Sequence, residues 1–408
     1  MKKKVLLVVC DGLGDRPTED LAGQTPLQAA ATPNLDWFAA RGACGQVDVI
    51  APGVRPGSDT AHLALFGYDP HVVYSGRGPF EAAGVGLDVQ EGDVALRCNF
   101  ATMDTKGRLV DRRAGRIREG TDELAASLTD QTFDGVRIVF RAGTEHRGAL
   151  LLRGSNLDPR VTDGDPHALG VPVAEVKAMA PEAERTARIV NQFVDQAKQI
   201  LSTHPVNESR IQKGRPPANV ILTRGAGRLS EIHPLTEKWG LRFAAVAGVA
   251  LVKGICRLTG MTLLDVKGAT GGLDSDFDAK ISAARDALDG YDVVIVSIKA
   301  PDIAGHDGEP EEKVRVIERI DRSLGLLRQA FRHDWVFGIT ADHSTPSSTG
   351  DHSADPVPFL VYTEDIRRDE VNRYDEMAVA MGSLSRIRGL DVLALLLDLA
   401  NRTEKFGA

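Results

Sequence analysis

Five short β-branched runs, each ending at a Gly- or Asp-rich turn, constrain this chain more than any other feature: VLLVV at 5–9, VRIVF at 136–140, NVILT at 219–223, DVVIVSI at 292–298 and WVFGIT at 335–340. Continuous apolar strands of this kind belong to a sheet covered on both faces. Helical patterns lie between them, at 181–203, 275–289, 310–331 and 391–402, and Thr32-Pro33 reads as the cap and first residue of a helix that stops at Gly42. Alternation of strand and helix predicts an α/β fold with a largely parallel sheet flanked by helices.

The stretch 75–215 departs from that rhythm. It is richer in Arg and Gly, carries closely spaced strand candidates (VALRCNFATMD, GALLLRG) and has one long helix at its end. It reads as an inserted, smaller α+β domain, with 1–74 and 216–408 forming the core and HPVNESRIQKGRPPAN as the return linker. A length of 408 residues suits two domains.

Composition excludes several classes. A hydrophobic fraction of 42% with 26% charged residues is that of a folded globular chain. A net charge of −8 argues against a nucleic-acid partner, so an anionic ligand must be met by local cations. Arg112, Arg113, Arg116 and Arg118 form one such run, although short basic runs are more often solvated surface. Cys10, Cys44, Cys98 and Cys256 are scattered without a C-x-x-C pair, which suggests neither disulfides nor a thiolate metal site and points to the cytoplasm. The apolar run after Met1-Lys-Lys-Lys is too short for a signal peptide and stops at Asp11, and no other run is long enough for a membrane.

Familiar nucleotide motifs fail. Gly12-x-Gly14 follows a strand, but Pro17 takes the third glycine position; Gly53 to Ser58 has no Lys before the Ser; and H-E-x-x-H is missing. What remains is a set of Asp and His residues at strand ends: Asp11 after the first run, Asp302 and His306 in KAPDIAGHDG, Asp342-His343 after WVFGITA, and His352 in STGDHSADP. Each alone is weak, since an Asp after a strand is commonly a turn or cap residue. Together, six oxygen and nitrogen ligands in strand-end loops suit a pair of divalent ions, Mn²⁺ first, with Zn²⁺, Mg²⁺ or Co²⁺ as the others. Paired metals serve phosphoryl transfer, which needs a nucleophile. Ser58, after a Pro-Gly turn and before an apolar helical run, reads equally as an N-cap and as a hydroxyl at a phosphate-binding helix N-terminus.

On CDGLGDRP, TPLQAAATPNLD, RPGSDTAHLALFGYDP, YSGRGPFEA, KAPDIAGHDG and TADHSTP with GDHSADPVP, the sequence resembles the alkaline-phosphatase superfamily, and within it the archaeal-type cofactor-independent phosphoglycerate mutases. The resemblance implies an alkaline-phosphatase-like core in which Asp302, His306 and His352 hold one metal while Asp11, Ser58, Asp342 and His343 surround the other. It implies interconversion of 3- and 2-phosphoglycerate through a phosphoserine at Ser58, with no 2,3-bisphosphoglycerate, in glycolysis and gluconeogenesis. The insert would be the domain that closes over the substrate, with His146, Arg147, Asp163, Asp165, Arg224 and Arg228 as candidate contacts. Lys299, three residues before Asp302, would neutralise charge on the transferring group, or else is a solvated strand-end lysine. A phosphomonoesterase or a phosphopentomutase-like enzyme on the same core is the rival expectation. A sulfatase is disfavoured, because Ser58-Asp-Thr-Ala lacks the pattern those enzymes modify.

Overall fold

The computed structural model describes residues 2–407. Two compact units emerge, one built from the chain up to Val73 together with His233 onward, the other from Tyr74–Ile232.

The first unit is organised by an eight-stranded sheet. Its strand order is Thr262–Leu263, Phe243–Val246, Val293–Ile298, Lys4–Cys10, Trp335–Thr340, Val357–Tyr362, Ala43–Asp48, Ser385–Arg388. Lys4–Cys10 lies at its heart, paired in parallel with Val293–Ile298 on one side and Trp335–Thr340 on the other. Those three strands are buried almost throughout, as their unbroken apolar sequences require. The pairing with Val357–Tyr362 is antiparallel, and so is that strand's pairing with Ala43–Asp48, so the sheet is mixed but mostly parallel. Cys10 stands opposite Ile298 and Val9 opposite Thr340, which brings the carboxyl ends of the three central strands out at one edge. Ligand sites of parallel α/β sheets form at this edge.

The expected helices appear at Glu184–Ser202, Phe277–Ala287, Pro310–Gln329 and Gly389–Leu399, and Pro33–Ala39 opens with proline at its first position. Helix Pro310–Gln329 buries Val316, Ile317, Ile320, Leu324 and Leu327 at three- and four-residue spacing. Its Lys313 is wholly buried, where Nζ donates to Asp15 Oδ2 (2.8 Å), the Gly14 carbonyl (3.1 Å) and the Thr345 carbonyl (2.9 Å). This triply bonded ammonium ties the loop after the central strand to the loop after Trp335–Thr340.

Of the five apolar runs, one belongs elsewhere than expected: NVILT at 219–223, assigned to the core, lies in the second unit, as does VRIVF at 136–140 in keeping with the expected insert. Val136–Ala142 and Val220–Arg228 are strands of the second unit's antiparallel sheet, the first pairing with Arg147–Arg153 and the second with Val94–Met103. The second unit therefore extends to Ile232, beyond the expected return at residue 216. An apolar run alone does not specify its pairing partner, and Val136–Ala142 in fact alternates between buried and exposed positions. On one face of this sheet Leu96, Phe100, Ile138, Phe140 and Leu150 pack against Ile189, Val190, Phe193 and Ala197 of the long helix. Arg97 and Arg224 stand opposite each other across the neighbouring strands, and Arg147 opposite Asn99. Strand alternation sends Arg97 and Asn99 to the other face from Leu96 and Phe100.

All four cysteines are buried and unpaired, and no helix among the described residues is long and apolar enough to cross a membrane.

Candidate active site

Each central strand hands over to a turn that carries a site residue. After Cys10 the chain reaches Asp11 and then Gly12, whose φ is +66° and whose missing Cβ would sit 2.6 Å from the Cα of Asp302. Glycine is demanded there twice, by the left-handed backbone and by the close approach. The Gly12 N–H donates to Asp342 Oδ1 (3.0 Å), so the first turn orients the carboxylate delivered by the third. After Ile298, Lys299 precedes helix Ala300–His306; Asp302 and His306 therefore share one helix face rather than a loop as expected. Trp335–Thr340 leads directly to Asp342 and His343, both buried. His352 arrives on a return segment whose Ser353 N–H donates to the Ser344 carbonyl.

Ser58 is the first residue of helix Ser58–Leu65, with Gly57 in the N-cap position. The cap reading of the serine is thereby set aside: its Oγ lies 3.2 Å from Nε2 of His343. The same Nε2 is 3.4 Å from Asp11 Oδ1 and 3.4 Å from Asp342 Oδ2. A second focus lies on Asp302 Oδ1, which is 3.4 Å from His306 Nε2, 3.5 Å from His352 Nε2 and 3.9 Å from His343 Nδ1. In each of two groups, Asp302/His306/His352 and Asp11/Asp302/His343, the ligand atoms all lie within 4.8 Å of one another.

These spacings fit cations. Two donors at about 2.0–2.2 Å from one tetrahedral ion lie roughly 3.3–3.6 Å apart. Asp11 Oδ2 and Asp342 Oδ2 are buried without a hydrogen-bond partner among the described residues, a costly state for carboxylate oxygens unless a cation serves them. The imidazoles are also prepared. Nδ1 of His306 faces the Gly350 carbonyl at 2.8 Å and Nδ1 of His352 the Pro56 carbonyl at 2.8 Å; a carbonyl only accepts, so Nδ1 carries the proton and Nε2 is directed at Asp302.

The electrostatics follow. Burial and the neighbouring Asp342 push the Asp11 carboxyl up to about 6, and burial presses His343 down to about 3. Burial opposes ionisation of Asp302, but His352, Lys299 and His343 outweigh it and hold the carboxyl well below the usual range. Lys299 is neither solvated nor directed away: Nζ pairs with Asp11 Oδ1 at 2.9 Å and Asp302 Oδ2 at 2.7 Å. Burial disfavours its charge, yet Asp11, Asp302 and Asp342 raise its pKa above that of an ordinary lysine.

The structure thus brings Asp11, Ser58, Lys299, Asp302, His306, Asp342, His343 and His352 together. It adds His62, one turn after Ser58, with Nδ1 2.7 Å from the Ser58 carbonyl and 3.5 Å from Asp342 Oδ2. Its place in the apolar helix run makes it look like core, but the four-residue spacing from Ser58 was the available signal.

The other six candidates lie in the second unit. His146 is buried, with Nδ1 lacking a hydrogen-bond partner among the described residues, and is lowered to about 4 by burial and then by Arg147 and Arg113. Arg224 faces Arg97, whose pKa is lowered to about 9 by burial and then by Arg77, with Glu81 offsetting part of this and Arg224 and Arg147 adding to it. Arg97 Nε and Arg228 Nε are buried without hydrogen-bond partners among the described residues. The acidic pair is engaged internally: Asp163 Oδ1 accepts from the Gly225 N–H at 2.9 Å, and Asp165 grips Arg112 through two bonds of 2.9 and 2.7 Å. So many guanidinium groups around Arg97 constitute a cationic cluster suited to an anion. Arg97 and Arg77 were missed from the sequence, where an arginine inside the strand run VALRCNF was the sign to follow.

Comparison with known proteins gives a family to this geometry. A protein of Methanothermobacter thermautotrophicus named 2,3-bisphosphoglycerate-independent phosphoglycerate mutase 1 is 49% identical over 411 residues, covering 99% of this chain and all of that one. The chain belongs to the family of 2,3-bisphosphoglycerate-independent phosphoglycerate mutases. The family model of that description matches residues 39–207. The mutase of Methanopyrus kandleri bearing the same family name is 51% identical over 417 residues, covering all of this chain and 99% of that one. Among solved structures, a protein from Pyrococcus horikoshii superposes with a TM-score of 0.87 at 39% identity over the whole of both chains. The cofactor-independent phosphoglycerate mutase of Thermoplasma acidophilum gives 0.72 at 40% identity, over 98% of this chain and all of that one. Isomerase chemistry is what defines the mutase family.

Proposed function

We propose that this chain interconverts 3-phosphoglycerate and 2-phosphoglycerate, with Ser58 Oγ as the phosphoryl acceptor and without a 2,3-bisphosphoglycerate primer. The observation that carries this reading is the convergence of Ser58 Oγ, Asp11 Oδ1 and Asp342 Oδ2 on Nε2 of His343 within 3.2–3.4 Å. Asp302, His306 and His352 would hold one divalent ion, and Asp11, Ser58, Asp342 and His343 a second. Mn²⁺ is the first choice for this oxygen and nitrogen set, which also suits Zn²⁺, Mg²⁺ and Co²⁺. Bound ions there supply Lewis-acid stabilisation of the phosphoryl oxygens and a lowered pKa for the serine hydroxyl.

Ser58 Oγ attacks the phosphorus of 3-phosphoglycerate; the Oγ–P bond forms as the O3–P bond breaks, Ser58 gives up its proton and glycerate O3 gains one. The retained glycerate turns, its 2-hydroxyl attacks the phosphoserine while losing its proton, and the Oγ–P bond breaks to regenerate the serine. Backbone N–H groups at the start of helix Ser58–Leu65 favour the negative charge of the transferring group. Lys299 adds a fixed positive charge beside Asp11 and Asp302. The second unit serves as the substrate-capping domain, where His146, Arg147, Arg224 and Arg228, joined by Arg97, meet the anionic substrate while Asp163 and Asp165 hold the Gly225 turn and Arg112. The setting is cytoplasmic glycolysis and gluconeogenesis.

A coupled assay with 3-phosphoglycerate, enolase and Mn²⁺, without 2,3-bisphosphoglycerate, tests this. Phosphoenolpyruvate should accumulate with little free phosphate. Rapid phosphate release without phosphoenolpyruvate would replace the mutase by a phosphomonoesterase.

A further inference from the structure

Thr345 is fully buried, two residues beyond His343. Its Oγ1 lies 2.7 Å from Asp302 Oδ1 and 3.1 Å from His343 Nδ1. A hydroxyl has one proton to give, and a carboxylate oxygen only accepts, so the Thr345 proton points to Asp302. The remaining lone pair must then accept from His343, which places the imidazole proton on Nδ1. Nε2 is left as a lone pair on the side of Ser58 Oγ, Asp11 Oδ1 and Asp342 Oδ2.

We infer that Thr345 is a positioning residue whose hydroxyl sets the tautomer of His343 and, by the same proton, the orientation of Asp302, so that one side chain serves both metal positions. This rests on the two-metal reading above. The hydroxyl is itself held in place. The Thr345 N–H donates to the Gly14 carbonyl at 3.0 Å, and its carbonyl accepts from Lys313 Nζ at 2.9 Å. A Cβ on Gly12 would come within 2.7 Å of Thr345 Oγ1 and one on Gly305 within 2.4 Å of the Thr345 carbonyl, so two glycines leave the space it occupies. His306 and His352 reach the same Nδ1–H form through backbone carbonyls. His343 alone of the three depends on a side chain that mutation can remove, and a hydrogen-bond partner of a ligating histidine is worth about 10–100-fold in metal affinity.

Thr345→Val keeps the shape and removes the hydroxyl, whereas Thr345→Ser keeps the hydroxyl. Mn²⁺ titration of the full chain, followed by electron paramagnetic resonance, should show the Val variant weakened by about 10–100-fold and the Ser variant within a few-fold of the parent. Imidazole ¹⁵N spectra of the metal-free protein, with His343 assigned by its loss in His343→Gln, should show Nδ1–H in the parent and Ser variants and a mixture of tautomers in the Val variant. If Thr345→Val does not fold, Thr345→Ala removes the hydroxyl without bulk and takes the same measurements. Parental Mn²⁺ affinity together with an unchanged Nδ1–H signal in the hydroxyl-free variant overturns the inference. Failure of the parent protein to bind Mn²⁺ would overturn the metal reading instead, and the ¹⁵N spectra would still decide the tautomer.

Discussion

Ser58 Oγ and His343 Nε2 lie 3.2 Å apart across 285 residues of sequence, one at the start of a helix and the other just beyond the end of a central strand. Removing the hydroxyl takes away the proposed phosphoryl acceptor but only one of three donor atoms around that nitrogen. Ser58→Ala is expected to lose at least about 10³-fold in turnover, as removal of a nucleophile does, with metal content by elemental analysis nearly that of the parent. Retained turnover would place the nucleophile elsewhere.

Arg97 is half-buried among Arg77, Arg147 and Arg224 with Glu81 as partial compensation. Such a charge arrangement costs stability in the free protein and gains its return from an anionic ligand. Arg97→Met should raise KM for 3-phosphoglycerate at least tenfold, about 1.4 kcal/mol, while the melting temperature stays level or rises. A fall in melting temperature with unchanged KM would make Arg97 a purely structural residue.

Lys313 and Asp15 form an ion pair with both side chains wholly buried. Lys313→Met leaves the carboxylate without its cation and should cost about 3–5 kcal/mol in chemical denaturation, the usual penalty for breaking a buried pair from one side. Loss of well under 1 kcal/mol would show that Ser347, whose N–H and Oγ also donate to Asp15, satisfies the carboxylate unaided.

Glu376 is raised from 4.5 to about 7, chiefly by burial, against the hydrogen bonds it accepts from Thr25 Oγ1 and the Asp15 N–H. The folded state therefore binds this proton more tightly than the unfolded chain. Its contribution to stability is complete below about 4.5 and is lost as pH rises through about 7. At roughly 1.4 kcal/mol per pKa unit the loss amounts to about 3 kcal/mol. Relative to the parent, Glu376→Gln should gain stability as pH increases over that window, measured by denaturation midpoints; parallel curves would remove Glu376 as the source.

The metal-type residues were legible in the sequence because parallel strands deliver their last residues to one edge: Asp11, Asp342 and His343 needed only the strand assignments to be brought together. Other features were not. Whether Ser58 caps its helix depends on the backbone at Gly57, which no residue pattern states. Val220–Arg228 opens on the same apolar signature as the core strands, and its pairing with Val94–Met103 in the second unit is what tells it apart. The hydroxyl of Thr345 and the imidazole of His62 are chemically ordinary, and their importance lies in distances that arise when segments far apart in sequence meet.

The central position of Lys4–Cys10 also bears on how the protein is born. On the ribosome this strand is synthesised long before Val293–Ile298 and Trp335–Thr340, the two strands that flank it in the sheet. Until those arrive, an apolar segment with unpaired edges must wait, exposed to aggregation or shielded by a chaperone. The second unit, contiguous from Tyr74 to Ile232, has all its strand partners within itself and can fold during that interval. Catalytic competence is therefore acquired only late in translation, and nascent chains that stop before residue 335 should be inert even though Ser58 has long since been made.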